Sequence, residues 1–318
     1  MFRFIHLLLV FTLIFSGCSS FVDADRAAVV FSQAHDFGAT AIAFSPDSSL
    51  LVSGGHKGDL RLWDMNKKAA ITELPAHSGV VRAIQFISSK AFVSGAEDGK
   101  LILWDGAKIK TDRSLSPVSS LSSIHGRLIS GHSDGWLRTW DFNLKELASL
   151  KLDGPVIAIS SHLNTLAVGL KDQIMILDSN LNILNTLNNE GGLPHDLQFS
   201  PDGKTLAAGN WFTLSTWNVA TGKQEIHPTE HHGLVTSVSF SPDGREIATL
   251  GRHTDSAIRI VNTETFQVER RYQAHELCGA MVRFSPNGHW MASASDDESV
   301  RLYDLSKAYN PRSAASLY

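Results

Sequence analysis

Three groups of residues in this chain could do chemistry. The first is a recurring set of histidine, serine and aspartate. His77, Ser94 and Asp98 are followed by Trp104, and His275, Ser293 and Asp297 by Tyr303. A further copy has His35, Ser53 and Trp63, with Lys57 where the aspartate would stand. A serine activated by a histidine that an acid orients is the machinery of acyl transfer, and it needs one special set beside an oxyanion hole. A set that returns along the chain points to structure instead, so no catalytic residue is assigned.

The second group is "HPTEHHG", which clusters His227, Glu230, His231 and His232. Imidazole and carboxylate groups are zinc ligands. His231, however, stands nine residues before Phe240, as His35 stands nine before Phe44 and His77 nine before Phe86. It belongs to the repeated pattern, which leaves His227 and His232 as a surface pair, and no metal site is assigned. "HELCG" at His275 has Gly279 where a zinc-protease helix needs its second histidine. The sequence carries no phosphate loop, nucleophile elbow or dinucleotide fingerprint, so no cofactor is expected.

The third group is the thiols, Cys18 and Cys278, too few for a disulfide framework. Cys278 sits in a strand-like stretch and reads as a small buried hydrophobe. Cys18 ends "MFRFIHLLLVFTLIFSGC", in which Arg3 precedes an apolar run from Phe4 to Phe15 that His6 interrupts. About a dozen residues fall short of the roughly 20 that span a bilayer. A charged start, a short apolar middle and a small-residue end are the parts of a secretory signal. "FSGC" resembles the bacterial lipobox at Ser16, Gly17 and Cys18 and departs from it at Phe15, where leucine is commoner. That resemblance implies a signal peptide over 1–17, cut before a diacylated Cys18, and a lipidated tether over 18–27. A plain secretory signal with an incidental cysteine and retention in the cytoplasm are the alternatives. In bacterial lipoproteins an aspartate after the cysteine goes with the inner membrane; Ser19 implies the outer membrane, facing the periplasm. The partner expected there is an unidentified envelope protein or complex.

The remaining chain is repetitive. Trp63-Asp64, Trp104-Asp105 and Trp140-Asp141 are echoed by Leu177-Asp178, Trp217-Asn218, Val261-Asn262 and Tyr303-Asp304, at spacings of 41, 36, 37, 40, 44 and 42 residues. Seven units of about forty residues therefore run from 28 to 306, with 307–318 as a C-terminal tail. In each well-kept unit a short apolar strand ends in punctuation such as "QFSPDGK" or "SFSPDGR", a tight turn in which Pro fixes φ and Gly accepts φ > 0. A second strand follows, then an alternating third such as "LRLWD", the mark of a half-buried strand, then a fourth. Helical periodicity is absent. The units resemble the WD-repeat family, most closely in "GAEDGKLILWD" and least in units three to five. The resemblance implies an all-β fold: a single seven-bladed propeller of four-stranded blades. It also implies that the histidine, serine, aspartate and tryptophan of a unit form a hydrogen-bonded structural tetrad. "KAYNPRSAASLY" after Tyr303 is a poor strand, whereas Ala28–Phe31 aligns with the strand before His77. The N-terminal strand is thus expected to complete the last blade and leave no open edge.

The chain has 318 residues, 43% of them hydrophobic, and a net charge of −4, or −5 once Arg3 is removed with the signal. That size supports a large core. Nothing in the charge marks a nucleic-acid surface, so no nucleic acid is expected as partner. Four of the seven tryptophans hold the blade position. Trp136 and the pair Trp211 and Phe212 fall instead in turns between second and third strands, on the face that also carries Phe37. These four aromatics are the candidate partner-binding residues, because exposed aromatics commonly mark contact surfaces; the alternative is that each covers its own blade. The expected function is a non-catalytic interaction platform held at a membrane by its lipid. The alternative is a propeller enzyme or ligand-binding protein with a site in the central channel.

Overall fold

The computed structural model describes residues 27–113, 116–252 and 255–306. It shows seven four-stranded antiparallel sheets, and among the described residues there is no helix. Blades 1 to 6 occupy residues 39–75, 81–113, 118–151, 158–188, 197–228 and 235–272. Blade 7 takes three strands from 279–304 and its outer strand, Val29–Phe31, from the start of the described chain. Val29 pairs with Leu302 and Phe31 with Val300. The expected closure is therefore present. The signal, lipid and tail assignments at 1–26 and 307–318 lie outside the described residues.

Strand burial follows position in the blade. The second strands, such as Leu50–Gly55 and Ala91–Ala96, are almost wholly buried, while outer strands such as Glu146–Lys151 are mostly exposed. Each sheet is sandwiched between neighbours, so its two faces both need apolar residues except at the rim. One contact shows the pattern: Leu60 and Val52 of blade 1 pack against Phe86, Phe92 and Trp104 of blade 2. The "SPDG" turns are locked by their serines. Ser241 Oγ donates to Asp243 at 2.6 Å and accepts from the Glu246 amide at 3.0 Å. The glycine position of this turn has positive φ in blade 6 (Gly244, 72°), and blade 1 puts Ser48 there at 61°.

Antiparallel alternation assigns the loops to two faces. The lower face carries the first-to-second and third-to-fourth turns. The upper face carries the second-to-third turns and the passages between blades. Both ends of the described chain meet the lower face, because the outer strand Val29–Phe31 starts there and the third strand Val300–Asp304 ends there.

The innermost strands leave an edge unpaired toward the channel, and side chains from the preceding blade cover it. Ser120 Oγ accepts from the Ile159 amide, Ser160 Oγ from Phe199, and Ser239 Oγ from Phe284, each at 3.0 Å. Thr40 Oγ1 donates to the Val81 carbonyl at 2.6 Å. These bonds satisfy backbone groups that would otherwise be stranded in a crowded ring.

Candidate interaction face

The upper face is held by the repeated polar sets. In blade 2, Ser94 Oγ lies 2.8 Å from His77 Nε2, and Asp98 Oδ1 lies 3.1 Å from His77 Nδ1. Trp104 Nε1 donates to the same serine oxygen at 3.0 Å. Asp98 also accepts from the Ser78 and Lys100 amides, each at 3.0 Å, so it ties the inter-blade passage to the turn after the second strand. Blade 7 repeats this with His275–Ser293 at 2.7 Å and His275–Asp297 at 2.9 Å, and Tyr303 replaces the indole at 3.5 Å. Burial pushes the His275 imidazole below its ordinary pKa. A neutral ring then donates Nδ1–H to the aspartate and accepts the serine hydroxyl at Nε2. The geometry copies a hydrolase triad, but Ser53, Ser94 and Ser293 are fully buried. In blades 1 and 2 an indole N–H already occupies the serine oxygen. No substrate carbonyl can reach these hydroxyls.

Blade 1 corrects the sequence reading. Lys57 does not leave the set incomplete: Asp59, two residues on, reaches His35 Nδ1 at 2.5 Å, while Lys57 pairs with Asp36 at 2.7 Å. The first residue of the third strand can point the same way as the turn residue it replaces, which residue counting does not reveal. Blade 3 solves the problem differently. His132, at the end of its own second strand, takes the histidine's place 2.8 Å from Ser130, which also accepts from Trp140 at 2.8 Å. "GHSDGW" held that signal, and sequence reasoning missed it. Trp217 of blade 5 bonds outside its own sheet, to the Asn188 carbonyl at 2.9 Å. Cys278 is half-buried in the loop before the strand Gly279–Phe284, and is not the buried strand residue expected.

The histidine cluster is spread among three settings. His231 is buried in blade 6 with Thr249 at 3.0 Å and Asp255 at 3.4 Å. His227, on the outer strand of blade 5, stacks flat on Phe266 at 3.5 Å between centroids. His232 is exposed.

A cavity of about 400 Å³ lies within the central channel. Asp196 and Arg283 stand in its wall, joined at 2.7 and 3.1 Å. Asp196 also accepts from Ser237 Oγ at 2.8 Å and the Val238 amide at 3.1 Å. Its acceptors are thus consumed by the ring itself. His195 lies near, its pKa lowered by burial and by Arg252.

The four candidate aromatics are all on the upper face, in blades 1, 3 and 5, and they differ in what covers them. Phe37 is 68% exposed, with Lys57 4.8 Å above its ring. Trp136 is the first residue of a third strand, not a free turn residue, and is half-buried between Arg138 and Lys151 at 5.1 and 5.7 Å. Trp211 and Phe212 are 54% and 52% exposed and lie 5.8 Å apart. The passage from blade 5 to blade 6 holds their turn: Trp211 bridges Leu234, Phe212 N donates to the Gly233 carbonyl at 2.9 Å, and Thr229 Oγ1 donates to the Phe212 carbonyl at 2.9 Å. Phe212 has φ of +64°, unfavourable for a residue with a side chain.

Similar proteins agree with the ring. The "Autophagy-related protein 16" of Arabidopsis thaliana is 25% identical over 290 residues, 86% of this chain and 49% of its own length. The "Serine-threonine kinase receptor-associated protein" of Rattus norvegicus is 27% identical over 244 residues, 71% of this chain and 66% of its own. The "Ribosome biogenesis protein YTM1" of Eremothecium gossypii is 22% identical, with 84% and 63% covered. The chain spans half or less of the length of the first relatives it matches. The family model "WD domain, G-beta repeat" matches residues 28–64, 68–105, 223–262 and 266–304. Each match begins on the outer strand of one blade and ends on the third strand of the next, the same offset that lets Val29–Phe31 close the ring. The stretches so matched are similar to WD repeats, and the ring they help to build is a seven-bladed propeller.

Proposed function

We propose that this protein is a non-catalytic platform for protein–protein interaction, held at a bacterial membrane by lipid on Cys18. The observation that carries the reading is the Trp211–Phe212 turn: two large aromatics held half in solvent by a strained, well-bonded backbone. Rigid scaffolds that present loops are built for recognition, and tryptophan is enriched among residues that dominate binding. One relative's name, a receptor-associated protein, describes such an association for that relative. The lipid anchor is supported by "FSGC" at 15–18. A tether joined to Val29 would meet the ring on its lower face, leaving the upper face free for a partner.

Two measurements test the reading. Metabolic labelling with a lipid analogue should mark the wild type and not Cys18→Ala; an unlabelled wild type removes the anchor. A photo-crosslinking amino acid at Phe212 should capture a defined protein in living cells, and the same group at Leu163 on the lower face should not. Equal capture from both positions would sink the upper-face platform.

A further inference from the structure

The lower end of blade 4 differs from its counterparts. The first-to-second turn carries Asp202 and Lys204 in blade 5 and Asp243 and Arg245 in blade 6; in blade 4 it is Leu163-Asn164. Leu163 is 76% exposed, the most of any large hydrophobic among the described residues. It sits at φ of +46°, unfavourable for a residue with a side chain. The strand register places more apolar surface close by. Leu166, just past the turn, pairs with Leu177, and Leu177 pairs with Ile183, beside which Leu184 bulges out of the ladder. Ile183 and Leu184 are 52% and 60% exposed. Every other outer strand of five residues or more carries a charge, at Glu73, Lys110, Glu146, Glu225 and Glu269, whereas Ile183–Asn188 has none. The acid of this corner, Asp178, is turned into its own loop, where it accepts from the Asn180 and Asn182 amides at 2.8 and 2.9 Å. Two cations flank the corner from blade 3. Arg127 reaches the Ser179 carbonyl at 3.3 Å, and Lys145 is exposed in the third-to-fourth turn.

From this arrangement we infer that the lower corner of blade 4 rests on the surface of an anionic bilayer. Leu163, Ile183 and Leu184 enter the headgroup boundary, and Arg127 and Lys145 lie against lipid phosphates. This inference rests on the reading of Cys18 as a lipid anchor. A tether joined to Val29 meets the lower face at the seam of blades 7 and 1. Successive blades are neighbours around the ring, so blade 4 stands opposite that seam. The stretch 18–27 reaches at most about 35 Å, which keeps the lower face near the lipid. One anchor alone leaves the ring free to swing about its tether. A second contact on the far side fixes it, with the lower face on the bilayer and the upper face turned away. A small patch suffices, because the tether already holds it at a high local concentration of lipid. Aliphatic insertion combined with cations over anionic headgroups is the physics of interfacial binding. A turn facing only water gains nothing from leucine at a positive φ, where glycine or asparagine is unstrained.

The test uses the full chain as purified from membranes, reconstituted on vesicles of phosphatidylethanolamine and phosphatidylglycerol that carry a trace of nitroxide-labelled lipid. In a Cys278→Ser background, an environment-sensitive dye is attached at Asn164→Cys, next to Leu163, or at Asp153→Cys on the upper face. The dye at 164 should shift to the blue and be quenched by the nitroxide, and the dye at 153 should not. Leu163→Ser should reduce the quenching at 164 at least threefold, and so should Leu184→Ser combined with Lys145→Glu. Equal quenching at 164 and 153, or quenching that survives both sets of substitutions, overturns the inference. A photo-crosslinking group at Leu163 that captures a protein, whether a second copy or another chain, overturns the bilayer as the occupant. Metabolic labelling of Cys18 separates this inference from the reading beneath it. A chain that carries lipid and sediments with the vesicles, yet shows no quenching at 164, overturns the contact and leaves the anchor standing. A chain without lipid that stays in solution overturns the anchor and this inference with it.

Discussion

Asp196 and Arg283 meet fork to fork in the channel wall, at 2.7 and 3.1 Å, although 87 residues separate them. The pair joins blade 5 to blade 7, and the same carboxylate accepts from Ser237 and Val238 of blade 6 between them. One side chain thus fastens three blades. Asp196→Ala should strand the Arg283 charge and the Val238 amide in a site where the two partners are only 12% and 20% exposed. Breaking one side of such a pair costs about 3 kcal/mol. Urea unfolding measures it, and an unchanged midpoint would mean that the ring does not depend on this clasp.

Phe31 of the closing strand stacks on Trp63 of blade 1, with centroids 4.1 Å apart. Closure is therefore sealed by aromatic packing as well as by the ladder to Val300–Asp304. Phe31→Ala should cost about 2 kcal/mol, less than for a fully buried ring because Phe31 keeps some exposure. Deleting residues 27–33 should abolish most of the cooperative transition by calorimetry. A shortened chain that melts like the parent would show the ring closing some other way.

What the sequence disclosed, and what it withheld, follows from how local each feature is. The seven units and the closing strand were legible because each blade repeats a strand-and-turn grammar on the scale of forty residues, even where Leu177 or Val261 replaces the tryptophan. The sets at His77 and His275 were legible for the same reason. Asp59 was not, because a side chain two residues out of place reaches the same point once the strand is folded, and neither was His132, which reaches Ser130 from the end of the same strand instead of from the passage before the blade. Asp196 carried no signal at all, since its partners lie in two other blades. Residue type also did not separate Trp136 from Trp211. Arg138 and Lys151 decide that difference by lying over one indole, and Lys151 comes from a neighbouring strand.

The acid side of the stability curve follows from the buried sets. Burial alone would raise the Asp98 carboxyl; the Ser78 and Lys100 amides and the His77 ring outweigh it and hold it at about 2, against an ordinary 3.8. The unfolded chain takes up this proton first, so the contribution, on the order of 2 kcal/mol, is full above about pH 4 and is lost as pH falls toward 2. Burial lowers the His231 and His275 imidazoles below 6.5, so protons again favour the unfolded chain as pH falls through that value. The unfolding midpoint should therefore be level from pH 7 to 8, decline below about 6.5 and fall most steeply below 4. Asp98→Asn should be less stable at neutral pH and should show a shallower fall below pH 4. An unaltered acid limb would remove Asp98 from this account.

Strain at Phe212 offers the sharpest test of why the aromatic turn exists. A non-glycine residue at φ of +64° costs on the order of 1 kcal/mol, and glycine accepts that angle freely. The Phe212 ring is 52% exposed and gives back little burial to offset the strain. Its backbone bonds to Gly233 and Thr229 do not involve the ring, so Phe212→Gly keeps them. If the side chain is there to touch a partner, the glycine variant should melt at the same temperature or up to a few degrees higher, and capture in cells should fall at least tenfold. Phe37→Gly, which also relieves a positive φ of 66°, should leave capture nearly unchanged, because Phe37 lies at the entry to blade 1, across the ring from the turn in blade 5. A lower melting temperature for Phe212→Gly with full capture would place the ring among the supports of blade 5 and take it out of the interaction face.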